Sequence, residues 1–259
     1  MDRLLISEVR ELSLIDVIGS PSIVLWLPYC NFRCPWCQNT PIVNGSIVRE
    51  VTVNYLRELF SSAKGFIEYV HVTGGEPTLH SRVLKIIYKV AREYNLKTSL
   101  NTNGSNPNIV KCLINSNLLD HIAIDVKAPL DNKALYSKVT GIPLDLVDSI
   151  ICRIKETINL AFKSGLEVEL RTTLIPDLNS KHVIAIAKHI ARIVGEYRCH
   201  SKCVYVLQQF IPSETVRDLK YRLQKPTPID KLVRVGKEVK DKYGLRVYVR
   251  SLDKGIVRL

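Results

Sequence analysis

Cys30-Asn31-Phe32-Arg33-Cys34-Pro35-Trp36-Cys37 sets three thiols at spacings of four and three residues, close enough along the chain to converge on one inorganic centre. Thiolates are soft ligands that select zinc, copper(I) or iron–sulfur clusters. A closed tetrahedral zinc site needs a fourth protein ligand, and the next candidates, His71 and Cys112, lie far downstream. A cubane held by three cysteines instead leaves one iron without a protein ligand, open to a small molecule. Three buried loop thiols that bind nothing are the third reading of the same spacing. The apolar run 22–27 reads as a strand and Pro28 and Pro35 favour irregular backbone, so the triplet falls in the loop that follows this strand.

Outward from that loop the chain alternates. Thr52 can cap a helix whose Val53, Leu56, Leu59 and Phe60 form an apolar stripe ending near Gly65. Strands are then expected over 69–73, 97–102, 121–126, 166–174 and 203–208, with helices over 81–94, 107–115, 146–162 and 180–194 between them. Several of these strands are nearly all apolar, the pattern of parallel strands buried on both faces. With the strand at 22–27 they make six units, two short of a closed eight-unit barrel. Thr227 and Pro228 open one more helix to about Tyr243, followed by a strand over 245–250. The expected fold class is therefore α/β, a partial (β/α)6 TIM-like barrel: a single domain over 1–259, its core at about 15–210 and a short C-terminal extension at about 211–259.

No Gly/Ser-rich linker divides the 259 residues. Residues 1–14 mix Asp2, Arg3, Glu8, Arg10 and Glu11 among their apolar residues, and no later apolar run is long enough to span a bilayer, so a cytoplasmic protein without membrane partners is expected. Seven cysteines in a chain of this length do not make a disulfide scaffold. Lys and Arg exceed Asp and Glu by 37 − 25 = 12. The excess favours acidic partners or phosphorylated ligands, but the basic residues are scattered along helices and no nucleic-acid-binding motif is visible, so nucleic acid is not expected as a partner.

Active sites in barrels of this kind form at the C-terminal ends of the strands. After the second strand come Gly74, Gly75 and Glu76, two glycines that let backbone approach closely and a carboxylate suited to an ammonium group. Asn101 opens the loop after the third strand. After the fourth, alternation puts Asp125 and Lys127 on one side, where they either face one ligand or pair with each other. Arg171 on the fifth strand offers a fork for a carboxylate, and Gln208 and Gln209 follow the sixth. Polar or metal-binding groups at six successive strand ends argue for one functional rim. Elsewhere, Cys112 and Cys152 read as core thiols on apolar helix faces, and Cys199-His200-Ser201-Lys202-Cys203 reads as a plain loop without a full ligand set.

The cysteine triplet, Trp36 beside its last thiol and Gly-Gly-Glu-Pro after the next strand resemble the radical S-adenosylmethionine (SAM) superfamily. More narrowly, Ser13-Leu14-Ile15-Asp16, the run Cys34-Pro35-Trp36-Cys37-Gln38-Asn39, Asp125-Val126-Lys127-Ala128-Pro129, Glu169-Leu170-Arg171-Thr172-Thr173 and Tyr205-Val206-Leu207-Gln208-Gln209-Phe210 resemble the activating proteins of anaerobic ribonucleoside-triphosphate reductases, relatives of pyruvate formate-lyase activating enzymes. The resemblance implies a [4Fe-4S] cluster on Cys30, Cys34 and Cys37, with its open iron chelated by S-adenosylmethionine. It further implies Gly74, Gly75 and Glu76 along the methionine moiety, Trp36 and Gln38 at the adenosine, and Asn101, Asp125, Lys127 and Arg171 at the remaining polar groups. Its chemistry is one-electron cleavage of the cofactor to a 5′-deoxyadenosyl radical, fed by a donor such as ferredoxin or flavodoxin. The implied product is a glycyl radical on a partner glycyl-radical enzyme, anaerobic ribonucleotide reductase above all. Two departures stand out: many relatives carry Asp where this chain has Asn101, and pyruvate formate-lyase activators carry a histidine where it has Gln208 and Gln209.

Two other readings are carried forward. One is a radical SAM enzyme acting on a small molecule or nucleoside. The other is a metal-bearing nucleic-acid-binding protein using the net charge of +12.

Overall fold

The computed structural model describes residues 3–197 and 202–259. The strands are β1 (Arg3–Ile6), β2 (Glu8–Val17), β3 (Ser20–Leu27), β4 (Arg49–Thr52), β5 (Tyr69–Gly74), β6 (Lys97–Thr102), β7 (His121–Asp125), β8 (Glu167–Leu174), β9 (Cys203–Gln209), β10 (Val247–Ser251) and β11 (Gly255–Arg258). β1 and β4 form an antiparallel pair, and the other nine make one sheet in the order β11-β10-β9-β8-β7-β6-β5-β3-β2. The pairs β3–β5, β5–β6, β8–β9 and β9–β10 are parallel, whereas β2 and β11 join antiparallel at the two ends.

Two compact units share the chain. The first is Met1–Asn31, Asn39–Thr102 and Asn106–Ile122, and the second is Phe32–Gln38, Asn103–Ser105 and Ala123–Leu259. Within the first, Ile23, Val24, Leu25 and Leu27 of β3 and Tyr69, Val70 and Val72 of β5 are all buried, as their largely apolar runs require of strands covered on both faces. The helix Val53–Ser62 starts at Thr52, whose hydroxyl accepts from the Tyr55 amide at 3.2 Å, and it buries Leu56, Leu59 and Phe60. One polar row crosses this interior: the Ser99 hydroxyl lies 2.7 Å from Nδ1 of His71 and 2.6 Å from Nδ1 of His121.

In the second unit, the helices Val147–Lys163, Val183–Tyr197 and Ile229–Tyr243 alternate with β8, β9 and β10. Helix Val147–Lys163 buries Ile151, Ile154, Ile158 and Ala161, a stripe that corrects the reading of Cys152 as a core thiol. Cys152 stands next to Ile151, a rotation of about 100° away from the stripe, and is exposed. Cys112 likewise falls beside the Val110–Leu113 face of its helix and is only half-buried. Cys203 opens β9 and is buried, while Cys199 lies outside the described residues.

Candidate active site

The first unit supplies Cys30 and a backbone cradle behind it. β3 ends at Leu27, and Tyr29 takes a left-handed φ of 62°, turning the chain before Cys30. The amides of Gly75 and Glu76 donate to the carbonyls of Leu27 and Tyr29 at 2.9 and 2.7 Å. A Cβ on Gly75 would lie 1.7 Å from the Tyr29 carbonyl oxygen, and one on Gly74, at φ +128°, 2.3 Å from that of Leu27. The backbone these glycines admit is thus the chain's own segment 27–30, and the glycines fix where Cys30 sits. His80 Nε2 lies 2.7 Å from the Pro28 carbonyl and its ring stacks on Tyr29. Glu76 is fully buried, and its Oε1 accepts from the Thr78 amide and hydroxyl and from the Thr102 hydroxyl at 3.1, 2.5 and 2.7 Å. Asn101 stands half-buried on β6.

The second unit supplies Cys34, Trp36, Cys37 and Gln38. The Cys37 amide donates to the Cys34 carbonyl at 3.2 Å, closing a turn. Two other stretches hold this turn. The Arg33 amide and the Trp36 indole donate to the carbonyls of Thr140 and Val139, both at 2.9 Å, at the end of the helix Lys133–Thr140. From the C-terminal extension, the Thr215 hydroxyl donates to the Gln38 carbonyl at 2.6 Å, the Arg217 amide to Cys37 at 3.1 Å and the Asp218 amide to Pro35 at 2.8 Å. The Gln38 side-chain amide bonds the Ile211 carbonyl. Nothing in the spacing of the cysteines points to these partners.

Lys127 donates to Asp125 at 2.7 Å, and its ammonium lies 5.1 Å from the centre of the Trp36 ring. Burial disfavours the ammonium, but the Asp125 carboxylate, Cys34 and the hydrogen bond to Asp125 outweigh it and push the lysine well above its ordinary value. Lys127 is 9% exposed, and of the two arrangements that alternation allows the structure shows the pair with Asp125. Removing it strands Asp125, whose side chain keeps 29% of its surface in water. Lys127→Ala is therefore expected to cost about 1–3 kcal/mol, short of the ~3–5 kcal/mol of a fully buried pair. The check is the melting temperature of the cluster-free protein, which should fall by roughly 2–4 °C per kcal/mol at this chain length; an unchanged melt would return Lys127 to a dispensable rim position.

Arg171 is 2% exposed and its guanidinium is committed to Glu169, two residues earlier on β8, at 2.6 and 2.7 Å. The carboxylate that its fork meets here belongs to the chain itself. Gln209 bonds the Thr227 carbonyl and the Leu252 amide, tying β9 to the C-terminal extension.

These residues suit an iron–sulfur centre. Cys30, Cys34 and Cys37 stand outside any disulfide and are the donor type that clusters select, and the buried Lys127 cation, on which Cys34 acts electrostatically, offsets the negative charge that thiolates bring. Residues 24–190 match the family model of the Radical SAM superfamily, well over half of the chain. The chain belongs to the radical SAM superfamily.

As a radical SAM enzyme it uses a [4Fe-4S] cluster and S-adenosylmethionine. It is 30% identical over 253 residues to the putative glycyl-radical enzyme activating enzyme of Methanocaldococcus jannaschii, covering 96% of this chain and 97% of that one. A probable GTP 3′,8-cyclase of Pyrococcus horikoshii is 28% identical over 66% of this chain and 53% of its own length. The crystal structure of QueE from Escherichia coli covers 96% of this chain and 95% of its own at a TM-score of 0.56 and 14% identity, a likeness of fold alone. That fold is the α/β partial TIM-like barrel of radical SAM enzymes. Among the described residues no helix is long and apolar enough to cross a membrane.

Proposed function

We propose that this radical SAM enzyme is a glycyl-radical-enzyme activating enzyme whose partner is an anaerobic ribonucleotide reductase or a related glycyl-radical enzyme. The observation that carries the reading is the match to the Methanocaldococcus jannaschii protein, which runs over 96% of this chain and 97% of that one. Cys30, Cys34 and Cys37 hold the cluster in this reading. Bound together, the cluster and S-adenosylmethionine supply the one-electron chemistry by which a hydrogen is taken from a C–H bond. The chain's own residues position and balance that chemistry: Gly74 and Gly75 hold the Cys30 segment against β5, the pinned Trp36 and Gln38 keep the second half of the loop in place, and Lys127 keeps a positive charge beside Cys34. Asn101, Asp125 and Lys127 are assigned to the polar groups of S-adenosylmethionine, with Glu76 and Arg171 acting through their buried contacts. The net charge of +12 would steer an acidic protein, either the partner or a donor such as ferredoxin or flavodoxin.

The reduced, reconstituted protein with S-adenosylmethionine is expected to place a radical on a glycine of the partner. Its electron paramagnetic resonance doublet should change splitting when that glycine carries deuterium at the α-carbon. A second reading draws on the Pyrococcus horikoshii relative: an enzyme acting on a nucleotide. Brisk cofactor cleavage with no doublet on any glycyl-radical enzyme of the same organism, but with turnover of a purine nucleotide, would replace the first reading by the second. The nucleic-acid-binding reading has only the net charge behind it.

A further inference from the structure

The helix Lys133–Thr140 plays no part in the chemistry described so far, yet its last turn grips the cysteine loop. Arg33 and Trp36 bond to Thr140 and Val139, and Gly141 takes the left-handed φ of 69° that ends the helix. A Cβ there would lie 2.3 Å from the Arg33 carbonyl oxygen, so only glycine lets the loop settle on the helix end. One turn earlier on the same face stands Tyr136, whose carbonyl accepts from the Thr140 hydroxyl at 2.6 Å. Tyr136 is 0% exposed, and its hydroxyl has no hydrogen-bond partner among the described residues. The titratable groups that act on it are Lys127, Cys34 and Asp125: burial pushes the phenol up, Lys127 pulls it down, Cys34 and Asp125 push it up again, and the net shift is upward.

A hydroxyl that leaves water without gaining an acceptor is costly, and phenylalanine would fill nearly the same volume without that cost. The hydroxyl at Tyr136 therefore calls for an acceptor in another state of the protein. Of these three groups, the Lys127 ammonium only donates, and the Asp125 carboxylate, paired with Lys127, leaves the hydroxyl unpartnered as it stands. Cys34 alone changes character: a thiol is a weak acceptor, whereas a metal-bound thiolate is a charged one.

We infer that the Tyr136 hydroxyl donates to the sulfur of Cys34 when the [4Fe-4S] cluster is bound, and thereby raises the cluster's reduction potential. The inference rests on the reading of Cys34 as a cluster ligand. A donor aimed at a ligating sulfur draws off negative charge and favours the reduced state, one of the levers by which proteins set cluster potentials. Tyr136 is in this sense a positioning and tuning residue.

The test is Tyr136→Phe, examined with and without the cluster. The cluster-free variant is expected to melt above the unsubstituted protein, because it no longer buries an unsatisfied hydroxyl. The reconstituted variant should carry the normal iron and sulfide, and a redox titration followed by paramagnetic resonance without S-adenosylmethionine should give a more negative potential. A lower melt of the cluster-free variant, an unchanged potential, or a shift that appears only with S-adenosylmethionine present would overturn the inference. Full cluster content in Cys34→Ala would overturn the ligand reading and the inference with it, whereas an unchanged potential at normal cluster content overturns the inference alone.

Discussion

Replacing any one of Cys30, Cys34 and Cys37 by alanine is expected to abolish the [4Fe-4S] cluster, and Cys203→Ala is expected to leave it intact. The difference lies in where the thiols stand. Three thiols lie within eight residues of one loop that hydrogen bonds hold at both ends, whereas Cys203 is buried at the start of β9. A cubane with three protein ligands has none to spare, since its fourth iron is already left to S-adenosylmethionine; two thiolates cannot keep it against water and oxidants. The loss should thus be complete in each variant. Iron and acid-labile sulfide per chain after anaerobic reconstitution, with the resonance of the reduced cluster, give the readout. Full cluster in Cys34→Ala, or only zinc in the native protein, would sink the assignment.

Much of the fold was legible because parallel strands buried on both faces read as continuous apolar runs. β3, β5, β6, β7, β8 and β9 all fall within a residue or two of their expected positions. β2 was missed: at the end of the sheet, Glu8-Val9-Arg10-Glu11-Leu12 keeps charged residues in water and shows no clean alternation. The helix Lys133–Thr140 was missed because its eight residues bury only Tyr136, Val139 and Thr140, too short a stripe to register as a period.

The candidate site divides the same way. The cysteines, the paired glycines and Asp125–Lys127 are local in sequence, and their spacing carries the chemistry. What holds the cysteine loop in place is not local: the Thr215 hydroxyl that bonds the Gln38 carbonyl lies 177 residues away, and no pattern in either segment announces the other. Arg171 shows a further limit, because alternation puts it and Glu169 on one side of β8 but does not tell a ligand-binding fork from a buried ion pair.

Gly75→Ala is expected to lose most of the cluster although Gly75 binds no iron. At 1.7 Å, the new Cβ would overlap the Tyr29 carbonyl oxygen, and its next neighbours are the Tyr29 carbonyl carbon and the Cys30 amide nitrogen at 2.5 and 3.2 Å. These are backbone atoms, which cannot rotate aside as a side chain can. The segment must move as a body, breaking the 2.7 Å bond from the Glu76 amide to the Tyr29 carbonyl and carrying Cys30 with it. Overpacking of this kind costs about 1–3 kcal/mol in stability, which a chain of this size can absorb. Cluster assembly cannot absorb it, because a ligand displaced by more than a few tenths of an ångström no longer reaches its metal. The expected signature is therefore a folded protein with a lowered melting temperature and little bound iron. Gly195→Ala is the control: that glycine lies in the helix Val183–Tyr197 with nothing within 4 Å of a built Cβ, and the change should be neutral or raise stability by about 0.5–1 kcal/mol. A Gly75→Ala protein that binds a full cluster with an unaltered melt would mean that the segment 27–30 is free to shift, and that the paired glycines serve the bound cofactor rather than the cysteine.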